Sequence, residues 1–292
     1  LPTRTTQFGR FDKGLAYTVL MKFYMHEKNW AKAEECGREL LKAEYGYGLM
    51  SNYADIFTLE NEGNKEIIFA CTEERGTNLQ LWHDHALPGN YPTQNTAIQK
   101  WDGYKVPWPF YRTFEKGDDR LTVLVGEYVG TDGVLFNEES DIQKHGNLYS
   151  GAVPVKYGED PESTGDGSQI DLVVYRYADA ILFDAEIKMA KNDISGAITS
   201  LNKIAERAYR KKDFYPSSMS VADLNEAIVT ERMKEFAAEG KLWWDFIRLG
   251  VVFKKAPYLI GRDNEQNVLL WPVSQTSINK NPNITQTPGY DK

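Results

Sequence analysis

The sequence predicts a mainly α fold, in which helical hairpins pack against a long loop-rich region that contains a few short strands. Residues 10–44 and 176–209 each place apolar side chains at helical spacing on both sides of a short polar turn. Residues 77–167, in contrast, are rich in Gly, Pro, Asn, Asp and aromatic residues and have little helical periodicity. We expect one structural domain made of three segments: 1–76, 77–170 and 171–292.

Length and composition exclude several classes of protein. The chain has 292 residues, of which 41% are hydrophobic and 26% charged, so it can bury a substantial core. Its net charge is −8 without a long run of Lys and Arg, which makes nucleic acid and anionic membrane surfaces poor partners. No apolar run reaches transmembrane length. The opening stretch lacks the apolar core of a signal peptide, so the chain is either cytosolic or a mature or truncated piece.

The two hairpin patterns are similar to each other. In the first, Leu15 and Phe23 lie on one helical face and a turn is predicted at residues 27–29. In the second, a turn is predicted at residues 192–193, and Ala197 occupies the place that Ala33 has in the first. Both patterns resemble a tetratricopeptide (TPR) unit. Because isolated repeats of this kind cannot bury a core, the hairpins must pack on each other or on another part of the protein.

The middle segment is where we expect a binding site. Short strand-like runs occur at 67–71 and 121–130, but most of residues 77–167 are irregular, and long irregular stretches are usually functional or disordered. The many Trp and Tyr residues argue against disorder.

The helical pattern at 220–250 carries a stripe of charge. Ser220 and Asp223 form a capping pattern, and Glu231, Glu235 and Glu239 recur every four residues, which places them on one helical face. Such a stripe indicates either acid–base chemistry or a buried charge network, and we favour the network, with Arg232, Lys241 and Arg248 as neutralising cations. Its predicted members are Glu231, Arg232, Glu235, Glu239, Asp245 and Arg248.

Four blocks of the chain resemble the motifs of the SusD/RagB family, in that family's order. They are 46–70 (GYGLMSNYADIFTLENEGNKEIIFA), 176–187 (RYADAILFDAEI), 231–250 (ERMKEFAAEGKLWWDFIRLG) and 269–290 (LLWPVSQTSINKNPNITQTPGY). Within the last block, Ser274 stands where the family commonly has a proline.

The resemblance implies an α-rich fold with TPR-like hairpins and a non-catalytic function. Members of this family are outer-membrane lipoproteins at the cell surface that bind oligo- or polysaccharide and work beside a SusC-like TonB-dependent transporter in nutrient uptake. The family's lipid-anchored N-terminal part does not match this chain, which resembles the C-terminal portion. The resemblance therefore implies membrane association only through an anchor outside this sequence.

The middle segment offers side chains suited to sugars. Aromatic rings can stack on the C–H faces of pyranoses, and planar polar groups can bond hydroxyls. The candidate glycan-binding residues are Trp82, Trp101, Tyr104, Trp108, Tyr111, Asn78, Asp84 and Asn95. Each aromatic residue among them can equally fill the core beneath the loops.

The sequence gives little support for metal binding or catalysis. His83 and His85 have a spacing that fits metal ligation from a strand, but no third ligand is placed, and we predict no metal site. The acidic loop 158–171 could hold calcium but lacks EF-hand spacing, so a solvated loop is the preferred interpretation and no cofactor is expected. Cys36 and Cys71 are predicted to be unpaired buried thiols.

Two other functions compete with glycan binding. A TPR-type scaffold would bind a protein or peptide in a helical groove. A glycoside hydrolase would need two carboxylates across a bond, for which Asp118, Asp119, Glu138 and Glu139 are candidates. No nucleophile elbow or phosphate-binding loop occurs, so we predict that the protein is not an enzyme.

Overall fold

The computed structural model describes residues 1–144, 146–256 and 258–290. The chain divides into two compact units, Leu1–Glu239 and Gly240–Lys292. The three predicted segments do not coincide with these units, because the boundary falls inside the third segment. Residues 257, 291 and 292 of that segment lie outside the described part.

The helices and strands follow in chain order. The helices are α1 (Lys13–His26), α2 (Trp30–Leu40), α3 (Trp82–Ala86), α4 (Trp108–Tyr111), α5 (Glu138–Lys144), α6 (Tyr177–Ala190), α7 (Ile194–Tyr209), α8 (Val221–Glu235), α9 (Leu242–Arg248), α10 (Val252–Lys255) and α11 (Gln275–Lys280). The strands are β1 (Ile67–Cys71), β2 (Val106–Pro107), β3 (Leu124–Val125), β4 (Glu127–Val129), β5 (Leu135–Asn137), β6 (Gly151–Pro154) and β7 (Leu172–Arg176).

Both predicted helical hairpins are confirmed. Helices α1 and α2 meet at a turn in which Lys28 has a φ of 55°, and α6 and α7 meet at one in which Asn192 has a φ of 65°. Side-chain caps fix the helix starts, as where the Asp193 carboxylate accepts from the Gly196 N–H at 2.9 Å. The two hairpins pack on each other through a shared cluster: Met21, Met25, Ala33, Cys36, Leu40, Ala180, Phe183 and Ile187. This packing supplies the partner surface that an isolated hairpin lacks.

The strands are short and antiparallel. Strand β1 pairs with β7, which brings the two ends of the loop-rich segment together. Strands β2, β6 and β3 form a second sheet, and β4 and β5 form a hairpin. The strand predicted at 67–71 is confirmed. The run predicted at 121–130 is only partly strand, because a 3₁₀ turn over Asp119–Val123 precedes β3 and β4.

The predicted helix at 220–250 is wrong in its extent. Helix α8 ends at Glu235, and Ala238 and Gly240 follow with φ values of 62° and 69°. A right-handed helix cannot continue through that conformation. Glu239 therefore lies beyond the helix, and a separate helix, α9, follows.

The buried charge network exists, and it includes cations from outside the predicted stripe. Arg176 lies at the end of β7 and pairs with Glu66 at 2.9 Å, with Glu239 at 2.7 Å, and also with Glu235. Arg207 of α7 pairs with Glu66 at 2.9 Å and with Glu235 as well. All five side chains are almost fully removed from solvent.

A second part of the network surrounds Glu231. Arg120 donates to Glu231 at 2.6 Å and forms a two-pronged pair with Asp118 at 2.7 and 2.8 Å. The hydroxyl groups of Tyr209 and Tyr215 donate to the other Glu231 oxygen at 2.5 and 2.7 Å. The carboxylate is thus fully engaged in structural bonds.

The remaining predicted members of the network take other positions. Arg232 lies over the rings of Phe183 and Phe236, with its guanidinium carbon 4.7 and 5.1 Å from their centroids. In the second unit, Arg248 donates to Asp245 at 2.9 Å.

Two further features are settled by the fold. Cys36 and Cys71 are both free thiols, as predicted, but Cys71 is exposed at the end of strand β1 rather than buried.

None of the helices in the described part of the chain combines the length and the apolar character that crossing a bilayer requires.

Loss of Arg176 should destabilise the protein strongly. We expect Arg176→Met to lower the free energy of unfolding by about 3–5 kcal/mol, because three buried carboxylates lose a compensating charge. Arg112→Met is the control: its side chain is 59% exposed in a pair with Glu138, and we expect a loss of at most about 1 kcal/mol. Urea unfolding measures both, and equal losses would contradict the assignment of the network as a core element.

Stability should also depend on the ionisation of Glu235. Burial raises the pKa of this carboxyl, but the charges of Arg207 and Arg176 outweigh that effect and lower it to about 2, against 4.5 when unpaired. The ionised form therefore stabilises the fold above pH 4.5, and this contribution is lost as the pH falls toward 2.

We expect the stability advantage of the wild type over Glu235→Gln to shrink by roughly 2 kcal/mol between pH 5 and pH 3. Urea unfolding at a series of pH values measures it. A difference that stays constant across this range would contradict the depressed pKa.

Candidate functional site

The loop at residues 101–105 is fastened to helix α3 by main-chain hydrogen bonds. The Trp101 N–H donates to the Asp84 carbonyl at 2.6 Å, and the Tyr104 N–H donates to the His85 carbonyl at 2.7 Å. Between them, Asp102 has a φ of 62°, a left-handed conformation that Asp tolerates better than most residues. The loop is thus set in position by its backbone, which leaves its aromatic side chains at the surface.

Four aromatic rings of α3 and this loop form a cluster, which we call the platform: Trp82, His85, Trp101 and Tyr104. The His85 ring lies 5.1 Å from Trp101 and 5.2 Å from Tyr104, and Trp82 lies 5.4 Å from Tyr104, all between centroids. Trp101 is 45% exposed and Tyr104 is 47% exposed, although large aromatic residues are usually well buried. The platform therefore offers flat apolar surface to solvent.

Polar groups border the platform. Asp102 forms an ion pair with Lys105, and its carboxylate also accepts from the Gly103 N–H at 2.8 Å. The Asp102 side chain is 36% exposed, whereas that of Lys105 is 7% exposed. The arrangement places an accessible acceptor oxygen beside apolar rings, a combination that suits a ligand with both C–H faces and hydroxyl groups.

Trp82 is anchored more firmly than the other platform residues. Its indole Nε1 donates to the Pro154 carbonyl at 3.0 Å, and its backbone N–H donates to the Gln80 side chain at 2.6 Å. Its ring also lies 5.6 Å from that of Tyr157, which is buried. Trp82 thus joins the platform to the core.

Trp108 and Tyr111 lie outside the platform. Both line an open groove of about 760 Å³ between α4 and the β4–β5 hairpin. Trp108 is 4% exposed, and its Nε1 donates to the Leu148 carbonyl at 2.8 Å, so the structure gives it a core role. Tyr111 packs edge-on against it at 5.4 Å. An ion pair between Arg112 and Glu138 also lines the groove.

The three polar candidates hold loops in place. Asp84 is buried and accepts from the Gly167 N–H at 3.1 Å. Asn95 donates to the carbonyls of Asp160 and Ser163 at 3.0 and 2.9 Å. Asn78 donates to the Thr72 carbonyl at 2.9 Å and to Glu73 at 2.8 Å. Each of these three residues therefore helps to hold a loop, and its role as a candidate glycan ligand stays a prediction.

The groups considered for metal binding also have other partners. His83 and His85 lie on a helix rather than a strand, so their side chains diverge: His83 contacts the Gly158 carbonyl at 2.7 Å and His85 packs in the platform. In the acidic loop, Asp160 is buried against Arg75 at 2.9 Å. Across residues 1–144, 146–256 and 258–290, no three His, Cys, Asp or Glu side chains are grouped for a metal ion.

Sequence reasoning missed two residues that shape the site, His85 and Tyr157. The sequence suggested His85 only as a metal ligand. In the structure it shares the short helix α3 with Trp82, and its ring packs against Trp101 and Tyr104 of the 101–105 loop. The Asp-Gly pair at 102–103 was a usable signal, because it marks a tight turn that presents the residues on either side.

Comparison with known proteins identifies the family. A model of the SusD family matches residues 99–290, about two thirds of the chain. The chain belongs to the SusD family. Among its relatives, SusD-like protein P25 of Formosa agariphila is 24% identical over 276 residues, covering 84% of this chain and 51% of the relative.

Two further proteins are similar over nearly all of this chain. The starch-binding protein SusD of Bacteroides thetaiotaomicron is 23% identical over 98% of this chain and 62% of its own length. The surface glycan-binding protein A of the same species, solved in complex with laminarihexaose, superimposes with a TM-score of 0.74 at 20% identity, over 98% of this chain and 66% of its own.

These comparisons confirm the mainly α SusD-type fold. They also show that the chain spans about half the length of the first curated relatives it matches.

The platform residues should differ in what they contribute to stability. We expect Trp82→Ala to lower the free energy of unfolding by about 2–4 kcal/mol, because it removes buried ring contacts and leaves the Pro154 carbonyl without its donor. Trp101→Ala should cost less than about 1 kcal/mol, since the exposed ring leaves no cavity. Chemical denaturation of the two variants measures this, and similar losses would show that Trp101 is a core residue.

Proposed function

We propose that this SusD-family chain binds oligo- or polysaccharide without chemical turnover, and that the platform is the binding surface. The observation that carries the proposal is the exposure of Trp101 and Tyr104, each close to half accessible, on a loop that hydrogen bonds hold in place. A rigid exposed aromatic surface is costly to leave in water, and a ligand that covers it gains the burial energy.

The physical match is with the C–H faces of sugar rings. Pyranose rings have apolar faces that can cover aromatic rings, and equatorial hydroxyls that reach groups at the border. Asp102 lies at that border and is partly accessible. Because the loop is already ordered, little conformational entropy is lost on binding.

The names of relatives support the same class of ligand. One relative is a starch-binding protein, and one structural neighbour was solved with laminarihexaose. These two ligands are an α-glucan and a β-glucan, so the relatives support glycan binding as a class and provide two probes for this chain.

The family resemblance supplies the finer part of the proposal. We infer that the full-length protein is lipid-anchored in the outer membrane, faces the cell exterior, and passes its glycan to a SusC-like TonB-dependent transporter for import. No cofactor is required for this function, because capture by stacking and hydrogen bonding involves no bond breaking.

Three of the four carboxylates that the sequence offered for a hydrolase have structural partners. Asp118 is bound by Arg120 at 2.7 Å, Asp119 by Arg210 at 2.6 Å and Glu138 by Arg112 at 3.2 Å. A hydrolase needs two carboxylates that face the bond to be cleaved, whereas each of these three is held by an arginine in an ion pair. These pairs favour binding over hydrolysis.

Calorimetric titration with laminarihexaose and maltohexaose tests the proposal. We expect binding of at least one of them, and we expect Tyr104→Ala and Trp101→Ala each to weaken it about tenfold or more, because each removes one stacking surface. Tyr149→Ala is the matched control: Tyr149 is 46% exposed, close to the 47% of Tyr104, but lies outside the platform, and its loss should leave the affinity unchanged.

Two results would overturn the proposal. One is binding that survives both platform substitutions, which would place the site elsewhere on the chain. The other is the absence of heat with these and other neutral glycans, with thermal unfolding showing the protein to be folded. Release of reducing sugar from the probes would instead support a hydrolase.

A further inference from the structure

Next to the platform lies a cavity of about 200 Å³ that the proposed function does not use. Its walls come from helix α3, from the loop at residues 87–93 and from residues 154–159. Trp82 lines the cavity and also contacts Tyr104 of the platform at 5.4 Å. The cavity and the platform therefore share one indole and lie next to each other.

The lining of the cavity combines aromatic, aliphatic and acidic side chains. Trp82, Tyr91 and Tyr157 supply aromatic surface, and Leu87 and Val155 supply aliphatic surface. Glu159 lines it as well and is exposed to solvent. Ligand pockets usually combine such apolar walls with a few fixed polar groups.

The walls are fixed by bonds that do not involve a ligand. The Tyr157 hydroxyl accepts from the Val173 N–H at 3.1 Å, and Lys100 donates to the Tyr91 carbonyl at 2.7 Å. One Glu159 oxygen accepts from the backbone N–H groups of Gln94 and Asn95 at 2.9 and 3.2 Å. The cavity is therefore preformed, which reduces the entropy cost of filling it.

A histidine in the wall is held by a main-chain carbonyl. His83 lines the cavity and is 3% exposed, and its Nε2 contacts the Gly158 carbonyl at 2.7 Å. Within the described residues, its Nδ1 has no hydrogen-bond partner. Nδ1 is enclosed by protein atoms, so the ring contributes a fixed part of the wall.

We propose that this cavity receives a single neutral sugar residue that branches from the glycan main chain on the platform. The inference rests on the proposed function and specifies its ligand as a branched neutral glycan. The size limits the occupant, because a volume of about 200 Å³ lies below the roughly 300–1,000 Å³ of pockets for drug-sized ligands and leaves room for about one ring.

The charge of the cavity excludes acidic branches. Glu159 is a carboxylate at the lining, and it repels a uronate or a sulfate at short range. A hydroxyl, by contrast, can donate to the carboxylate in a charge-assisted hydrogen bond.

Matched linear and branched oligosaccharides test the inference. The probes are laminarihexaose and maltohexaose, each compared with the same main chain carrying one 6-linked glucosyl branch. We expect the branched form of the ligand that binds to have an affinity about tenfold higher, since the branch covers apolar walls that the linear form leaves open.

A substitution that fills the cavity should abolish this gain. Thr93 lines the cavity, and we expect Thr93→Phe to bring the affinity for the branched ligand down to that for the linear one, with the linear affinity unchanged. Thr96→Phe places the same ring on an exposed residue three positions further along the chain, outside the lining, and this variant should keep the gain in affinity.

A second variant tests the same site through its charge. We expect the wild type to bind an oligosaccharide with a glucuronosyl branch at least tenfold more weakly than the same oligosaccharide with a glucosyl branch. Glu159→Gln should reduce this difference in affinity. Glu159 is at the surface, so this variant reports on the cavity even if Thr93→Phe does not fold.

The outcomes separate this inference from the function it rests on. Two results would overturn the branch pocket but not the platform. In one, the linear ligand binds and the branch adds no affinity. In the other, the branched ligand keeps its higher affinity in the Thr93→Phe variant. Failure of both linear and branched forms to bind overturns the proposed function, and the branch pocket with it.

Discussion

The guanidinium of Arg176 lies fully buried among the carboxylates of Glu66, Glu235 and Glu239, which come from distant parts of the chain. Arg176 also ends strand β7 and caps helix α6, where its N–H donates to Asp179 at 3.0 Å. Because a buried charge is costly unless its partners are in place, the network enforces one arrangement of strand and helices. The pairing of β1 with β7 in turn brings the ends of the loop-rich segment together.

A loop region that is fixed only at its two ends can still move between them. In this protein, hydrogen bonds within the loop-rich segment also hold it to the core. Buried Lys156 donates to Tyr53, to the Ala237 carbonyl and to Glu239 at 2.6–2.8 Å, which ties residues just beyond β6 to the same network. Desolvation lowers the pKa of Lys156 to about 8, although Glu239 opposes that shift. The charged core is thus bonded to the segment at residues 154–159, which forms one wall of the cavity.

The sequence predicted the features that depend on residues close together in the chain. The helical hairpins could be predicted from the spacing of apolar residues and from the capping residues. The buried carboxylates could be predicted from their four-residue spacing in and beyond α8. The partners of those carboxylates could not be predicted, because Arg120, Arg176 and Arg207 approach only through tertiary packing. The end of α8 was missed because the first left-handed residue after it is Ala238, a residue type that seldom takes this conformation. Gly240, two residues later, was a usable signal that the helix stops.

The aromatic residues of the middle segment were indistinguishable in sequence, and the structure separates them by how each is held. Trp82, Trp108 and Tyr157 use their polar side-chain atoms in bonds with the backbone, which draws their rings toward the core. Trp101 and Tyr104 are held through their main-chain N–H groups, which leaves the rings free to face outward. A ring positioned by its backbone is rigid yet accessible, and those two properties together are what a stacking surface for sugars requires.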